Sequence, residues 1–415
     1  MKAFNSRIYY KLNLTLDSPM TVGRGSSEST DHDVFTDSNG VPVIPATSIA
    51  GSMRSYVFHQ LSSEKDLANE LFGSIEGDGI DSKLRVYDAR VVSDNPVTFI
   101  TSRDCVKLKD KVGVKGAKFD LQVVETGAKF VSYIELLDAT YQDVLEKAIS
   151  AMDLGLIRFG AKTTRGFGKV KVNADRKRID TIEDWLSFRM FHDDSWTGSE
   201  FDLDLSAGIG ESITINLKNT AGLSIREYST KIGMPDYKTL SLKSQLETYT
   251  PVIPGTSWAG VFRDRCSDML EEDALKELFG DVDEKSSKAI RSKLYFSESV
   301  LSGGTVKDIS RNSIDRFSAA TKRGALYTER TYFGGKTNLE ITCPTSIGFT
   351  ELFALGVCLA DLHNGFISVG GLTAVGRGLF EIESIFIGDK DVTQYIVTDT
   401  PDIKKFAEEV MIYEA

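Results

Sequence analysis

Cysteine and histidine are scarce in this 415-residue chain, with four of each. Cys105, Cys266, Cys343 and Cys358 are far apart, with no CxxC pair and no histidine at metal-ligand spacing. That pattern excludes a zinc knuckle or a disulfide framework and leaves the thiols as small apolar core residues. No apolar run approaches the roughly 18–20 residues of a membrane span. The opening MKAFNSRIYYKLNLTLD also lacks the basic-then-apolar pattern of a signal peptide. A cytoplasmic protein with no membrane partner is therefore expected. Dinucleotide, P-loop and catalytic-triad patterns are missing, so an ordinary small-molecule enzyme has little support. Positive charge is in deficit, 49 Lys and Arg against 60 Asp and Glu for a net −11. Bulk coating of nucleic acid, which is driven by counterion release at clustered cations, is disfavoured.

Local charge runs the other way. RDCVKLKDKVGVKGAKF carries Arg103, Lys107, Lys109, Lys111, Lys115 and Lys118 against Asp104 and Asp110, and IRFGAKTTRGFGKVKV carries Arg158, Lys162, Arg165, Lys169 and Lys171 with no acid. Basic stripes on an acidic body suit a defined track for a polyanion, although a solvated face explains many single charge runs. With 41% hydrophobic residues the chain can build two packed cores.

A repeat organises it. VPVIPATSIAGSMRS (41–55) returns as TPVIPGTSWAGVFRD (250–264), which puts Pro42 on Pro251, Ser48 on Ser257, Gly51 on Gly260 and Arg54 on Arg263. Downstream, LFG meets LFG, SKLRVYDA meets SKLYFSES, and TTRGFGKVKV meets TAVGRGLFEIE, all at offsets of 207 to 210. An offset kept over more than a hundred residues marks a duplication.

Each half reads as mixed α and β. RIYYKLNLTL alternates Ile8, Tyr10, Leu12, Leu14 and Leu16, and SITINLKN alternates Ile213, Ile215 and Leu217, the period of a half-buried strand. A helix follows, with Thr47 or Ser48, and then Ser257, as expected caps; Ile49, Met53, Val57 and Leu61 share one face of the first, Trp258, Phe262 and Cys266 one face of the second. Two strands, a second helix, a glycine-rich turn and a last strand complete the order β-α-β-β-α-β, an α+β, ferredoxin-like or RNA-recognition-motif pattern. The expected divisions are a first domain over 1–175, a linker with a short helix over 176–208, and a second domain over 209–415. A terminal helix is expected from Thr400 as cap and Pro401 at the first helical position, with Ile403, Phe406, Val410 and Met411 on its stripe.

The compound motif PxIPGTSxxGxxR, followed by LFG, a central RNSIDR segment and a terminal glycine-rich turn, resembles the RAMP superfamily of CRISPR-associated proteins. The resemblance covers almost the whole chain. More narrowly the arrangement looks like the backbone subunits of type III CRISPR effector complexes, and two units in one polypeptide resemble the tandem fusions of subtype III-D. The resemblance implies guide RNA, complementary target RNA and other type III effector subunits as partners.

Site residues follow from the matched motifs. The turns GAKTTRGFG (Gly160, Gly166, Gly168, with Lys162 and Arg165) and VGGLTAVGRG (Gly370, Gly371, Gly376, Gly378, with Arg377) let backbone N–H groups approach phosphates, or serve only as tight turns. Helix starts at Ser48 and Ser257 are potential phosphate sites, and Arg54 and Arg263 are implied guide-RNA contacts unless they are ordinary surface residues. The segment 311–335 resembles the family's protruding thumb hairpin, where Arg316, Phe317, Arg323, Tyr327 and Arg330 suit base stacking and backbone contact. The first half has the position and charge at 103–125, including Lys107 and Lys109, but not the wording. Catalytic members of the family carry an aspartate about a dozen residues before the first proline. Asp31 is the matching residue, with His32, Asp33 and Asp37 close by; in the second half the candidate is Asp236, with Glu247 a weaker alternative. Either aspartate would bind Mg²⁺ or another divalent metal, or accept the 2′-hydroxyl proton, whereas a plain turn such as DSNG is the structural alternative. The expectation is thus a metal-dependent, RNA-guided endoribonuclease subunit. The competing class is a non-catalytic guide-binding scaffold whose neighbours cut, and a guide-processing ribonuclease using His32 is more distant.

Overall fold

The computed structural model describes residues 6–25, 32–61, 66–75, 79–92, 100–109, 112–204, 211–228, 233–242, 250–283 and 288–413. Its contacts divide into two compact units, Met1–Thr163 with Phe167–Ile209, and Thr164–Gly166 with Gly210–Ala415.

In the first unit the strand Arg7–Leu16 lies between Val170–Ile179 and Lys129–Leu136, antiparallel to both. Outside Lys129–Leu136 the expected strand at 83–92 (KLRVYDARVV) is two short ones, Leu84–Val86 and Ala89–Val91, and the second also pairs with Val43–Ile44. The core strands therefore run fourth, first, third, second across the sheet. Alternation places Ile8, Tyr10, Leu12, Leu14 and Leu16 in one buried cluster with Ile49 and Met53 of the helix Ala46–Tyr56 and with Leu145, Ile149 and Met152 of the helix Gln142–Asp153. Tyr10 reaches the edge of this core and donates to Glu146 at 2.9 Å. Burial, reinforced by that carboxylate, pushes its hydroxyl pKa up.

The stretch read as a linker groups with this unit. The last strand continues to Ile179, the helix Ile182–Ser187 follows, and Phe188, Met190 and Trp196 pack against Tyr9, Tyr133 and Ile179 on the sheet face away from the helices. The Thr181 hydroxyl accepts from the Asp184 N–H at 3.1 Å, the cap that the sequence indicates.

The second unit repeats the order. Glu211–Asn219 lies between Phe380–Ile387 and Lys336–Cys343, with Tyr295–Phe296 beyond the latter. The helices Gly255–Cys266 and Phe349–His363 bury Trp258, Phe262, Leu355 and Leu359 against Ile213, Ile215 and Leu217. The terminal helix Ile403–Tyr413 docks through Phe406 and Val410. Gly356 is needed there, because a Cβ would lie 2.8 Å from Ile403 and 2.9 Å from Phe406.

The duplication extends to local bonds. Gly73 and Gly280 follow the helices Asp66–Phe72 and Glu272–Phe279 with φ of +83° and +77°. Ser82 and Ser292 each donate a hydroxyl to a carbonyl of the preceding LFG, Leu71 at 3.3 Å and Leu278 at 2.9 Å.

Three caps differ from expectation. Neither Thr47, Ser48 nor Ser257 caps its helix: Pro45 and Pro254 occupy the cap positions, and neither helix has a side-chain cap from its own residue there. The Asp88 carboxylate accepts from the Ala46 N–H at 2.7 Å instead. At the carboxyl end Asp402, rather than Thr400, receives the Lys405 N–H on its side chain at 3.0 Å and the Phe406 N–H on its carbonyl at 3.1 Å.

Of the four cysteines, Cys266, Cys343 and Cys358 are buried and Cys105 is partly exposed. Cys266 and Cys358 lie 3.5 Å apart, and their hydrogen bond together with burial pushes the Cys358 thiol up. A native sample treated briefly with iodoacetamide is therefore expected to carry the label at Cys105 alone, with the other three reacting only after denaturation. Peptide mass spectrometry reads the result, and native labelling of Cys266 or Cys343 would contradict the packing.

Candidate nucleic-acid interface

The glycine turns have the same geometry in both halves, at an offset of 210. Phe159 N–H donates to the Gly168 carbonyl at 3.0 Å and Val369 N–H to the Gly378 carbonyl at 2.9 Å; Ala161 N–H donates to Thr21 at 2.8 Å and Gly371 N–H to Ser224 at 2.7 Å. Lys162 and Leu372 both take left-handed conformations, φ +57° and +58°, before the short 3-10 turns Thr163–Arg165 and Thr373–Val375. A Cβ on Gly168 would stand 2.0 Å from the Phe159 carbonyl oxygen, and one on Gly378 1.9 Å from that of Val369. These inner glycines serve close backbone approach within the protein. Around Gly376 a Cβ would meet nothing within 4 Å, and Gly371 is exposed. The outer rim is the part open to a phosphate.

Each turn is held to a long hairpin inserted between the second and third core strands. The hairpins are Ile100–Lys109 with Val112–Val124, and Thr305–Arg311 with Tyr327–Phe333. Arg377 is buried, with its guanidinium 4.9 Å from the Phe333 ring. Burial, and then the neighbouring Arg311, lower its pKa from the ordinary value. In the first unit the equivalent turn position is Phe167, and the hairpin's Arg103 supplies the guanidinium, 5.8 Å from the ring, while pairing with buried Glu125 at 3.0 Å. The two units thus make a cation–ring contact with the partners exchanged. Arg165 and Gly166 sit in and after the 3-10 turn, with Arg165 partly exposed and Gly166 buried at φ +93°. Lys162 lies 4.5 Å from the Phe119 ring and 3.9 Å from the Cys105 sulfur.

The helix-start residues serve the scaffold in part. Ser48 and Ser257 donate backbone N–H groups to Pro45 and Pro254, both at 2.9 Å. Arg54 donates to Asn69 at 2.7 Å and Arg263 to the Gly280 carbonyl at 2.9 Å, so each ties its helix to the following one.

The residues that follow the candidate aspartates come to similar places by pairing. His32 bridges Leu121 in parallel, and Gln122 N–H donates to the His32 carbonyl at 2.9 Å. Tyr237 pairs in parallel with Glu329 on the second hairpin. In each half the residue that follows the aspartate thus lies beside the hairpin's second strand, on a parallel rung. Asp31 itself falls outside the described residues, as does Glu247. Asp236 is exposed, and its Oδ2 accepts from the Thr328 N–H at 2.8 Å. Around it stand Tyr237 and Tyr327, edge to face at 5.9 Å, and Arg226, 4.6 Å from the Tyr237 ring. Below, buried Glu329 accepts from Ser224 at 2.6 Å and Arg226 at 3.2 Å. Sequence reasoning missed Ser224, Arg226 and Glu329, because REY and YKT are three-residue strands too short to show a period.

At the hairpin tip Phe317 is fully exposed. The Asp315 carboxylate accepts from the Ser318 and Phe317 N–H groups at 2.9 and 3.0 Å, which lowers its pKa and fixes the turn beneath the ring. Arg316 and Arg323 are exposed nearby. Arg330 makes a two-point contact with Asp308 across the strands, 2.8 Å at each oxygen. Lys107 and Lys109 lie on the first hairpin, and their side chains are outside the described set.

Among the described residues no three His, Cys, Asp or Glu side chains gather in a metal-ligating group.

Residues 13–171 and 194–381 match the RAMP superfamily. The chain belongs to that superfamily. The match falls in two blocks, consistent with a tandem RAMP fusion, and membership makes this a CRISPR-associated RNA-binding subunit. No curated protein matches the chain. No helix among the described residues is long and apolar enough to cross a membrane.

Proposed function

We propose that this RAMP protein is a double backbone subunit of a type III CRISPR effector complex, of the fused kind seen in subtype III-D, acting in the cytoplasm. It binds guide RNA with neighbouring effector subunits and cuts complementary target RNA at Asp31 and Asp236. The shared parallel rung carries this reading: His32 lies beside Leu121 and Tyr237 beside Glu329, each on the second strand of its unit's hairpin, and each follows a candidate aspartate in the sequence. The strand order of each unit supports a ferredoxin-like fold, and the hairpins have the position of the family's thumbs. Phe317, raised on its ordered turn, suits insertion between bases, while Gly371, Gly376, Arg316 and Arg323 suit the RNA backbone.

In the proposed reaction the nucleotide is turned out of the duplex so that its 2′-hydroxyl lines up with its own phosphorus. The aspartate accepts the hydroxyl proton, the 2′-oxygen bonds to phosphorus, the P–O5′ bond breaks, and the departing 5′-oxygen takes a proton from water. The products are a 2′,3′-cyclic phosphate and a 5′-hydroxyl. A bound Mg²⁺, held by the aspartate and RNA phosphate, would supply charge stabilisation.

The test is a complex reconstituted with guide RNA and given end-labelled RNA. Two cuts attributable to this chain, confined to complementary RNA and abolished by EDTA, are expected. Equal cutting of unrelated RNA, or a complex that retains no guide, would overturn the reading.

A further inference from the structure

The segment after the first unit's last strand offers a surface of a different kind. Residues 180–204 hold eight Asp or Glu against one Arg. Phe188, Met190 and Trp196 fasten this segment to the sheet, with the Trp196 indole donating to the Met190 carbonyl at 2.8 Å. The helix Ile182–Ser187 buries none of its own residues. Ile182, Trp185 and Leu186, at i, i+3 and i+4, form one stripe and are 49%, 47% and 77% exposed. Five residues beyond Leu186, Phe191 is 61% exposed and lines a cleft of about 400 Å³ together with Tyr87, Val92, Val131 and Tyr133.

Such a stripe matches the anchor spacing by which a helix enters a groove on another protein. Its charge decides the class of partner. Glu183 and Asp184 flank the stripe, Asp194 follows and Asp88 lines the cleft, against Arg7 over the Trp185 ring and Arg90 in the cleft wall, so acid outnumbers base and an RNA phosphate is disfavoured. We propose that the helix Ile182–Ser187 and Phe191 form a docking surface for another protein, one that presents an apolar groove with a basic rim. This rests on the reading above only in taking the partner from the effector complex. The first unit's outer sheet face is then a protein face, and RNA is left to the turns and hairpins.

The test compares wild type with the double variant Trp185→Ala, Leu186→Ala and with Glu183→Lys, each co-expressed with the other effector subunits and guide RNA. Trp185 and Leu186 are 47% and 77% exposed and Glu183 is exposed, so the folded state is expected to survive, and circular dichroism checks that it does. Native mass spectrometry and titration are expected to show assembly weakened by about ten-fold or more in the double variant. Glu183→Lys should weaken it less and reduce its salt dependence. Guide-RNA affinity of the isolated chain should be unchanged, and hydrogen exchange at 182–191 should slow on adding protein subunits and not on adding RNA. Undiminished assembly of the double variant overturns the proposal, as does protection by RNA alone, or wild type that binds no protein subunit. Loss of a homodimer in the variant would overturn the choice of partner in favour of a second copy. RNA binding and cutting are read separately, so failure of the nuclease reading leaves this result interpretable.

Discussion

Gly378→Ala is expected to lower the melting temperature by about 6–12 °C, as read by differential scanning calorimetry. The residue has φ +74°, where a side chain costs about 1–2 kcal/mol. Its new Cβ would also sit 1.9 Å from the Val369 carbonyl oxygen, so the backbone pair that closes the turn must part. Together these amount to at least about 3 kcal/mol, and each kcal/mol shifts a unit of this size by about 2–4 °C. Gly168→Ala should act alike in the first unit, where the clash is with Phe159 at 2.0 Å. Gly371→Ala is the control: its nearest neighbour would be Ser224 O at 3.4 Å, ordinary contact, and the change should stay within about 0.5 kcal/mol. Equal melting of Gly378→Ala and Gly371→Ala would sink the claim that the inner glycines serve the fold and the outer ones remain open for a ligand.

The second large effect concerns cutting. Asp236→Asn is expected to remove one of the two target cuts by about 10²–10⁴-fold, the ordinary yield of a lost general base, with the other cut and guide retention preserved. Asparagine keeps a side-chain oxygen able to accept from Thr328 N–H, so any loss is not traceable to this contact with the hairpin coming apart. Because Asp236 is exposed, stability should change by less than about 0.5 kcal/mol. Asp31→Asn should remove the complementary cut. Mapping the 5′-labelled fragments on a sequencing gel decides the matter: both cuts intact in both variants would make the chain a scaffold, with the chemistry assigned to a neighbour.

The alternation of Ile8 to Leu16 and the offset kept from Pro42 to the last glycine turn were readable because strand period and duplication are written in neighbouring letters. The pairing of His32 and Tyr237 with the hairpins was not. Counting back from the prolines misaligns these two residues, since His32 lies ten before Pro42 and Tyr237 fourteen before Pro251. Their partners, Leu121 and Glu329, lie about ninety residues downstream in each case, beyond the reach of a local pattern. Capping failed for a similar reason. A hydroxyl near a helix start is a local signal, but the Ala46 N–H is satisfied by Asp88 from a distant loop. Arg377 misled through its charge, because a guanidinium reads as surface in a sequence, and here an aromatic face from the hairpin covers it.

That exchanged contact bears on how the two halves of the gene can change. Arg377 meets Phe333, whereas Phe167 meets Arg103. Copying the second turn alone into the first half would set arginine against Arg103, two like charges in a buried place. The reverse copy would set phenylalanine against Phe333 and discard the cation. Recombination between the halves therefore yields a working protein only when turn and hairpin travel as one block, which keeps two once-identical halves from being homogenised piecemeal.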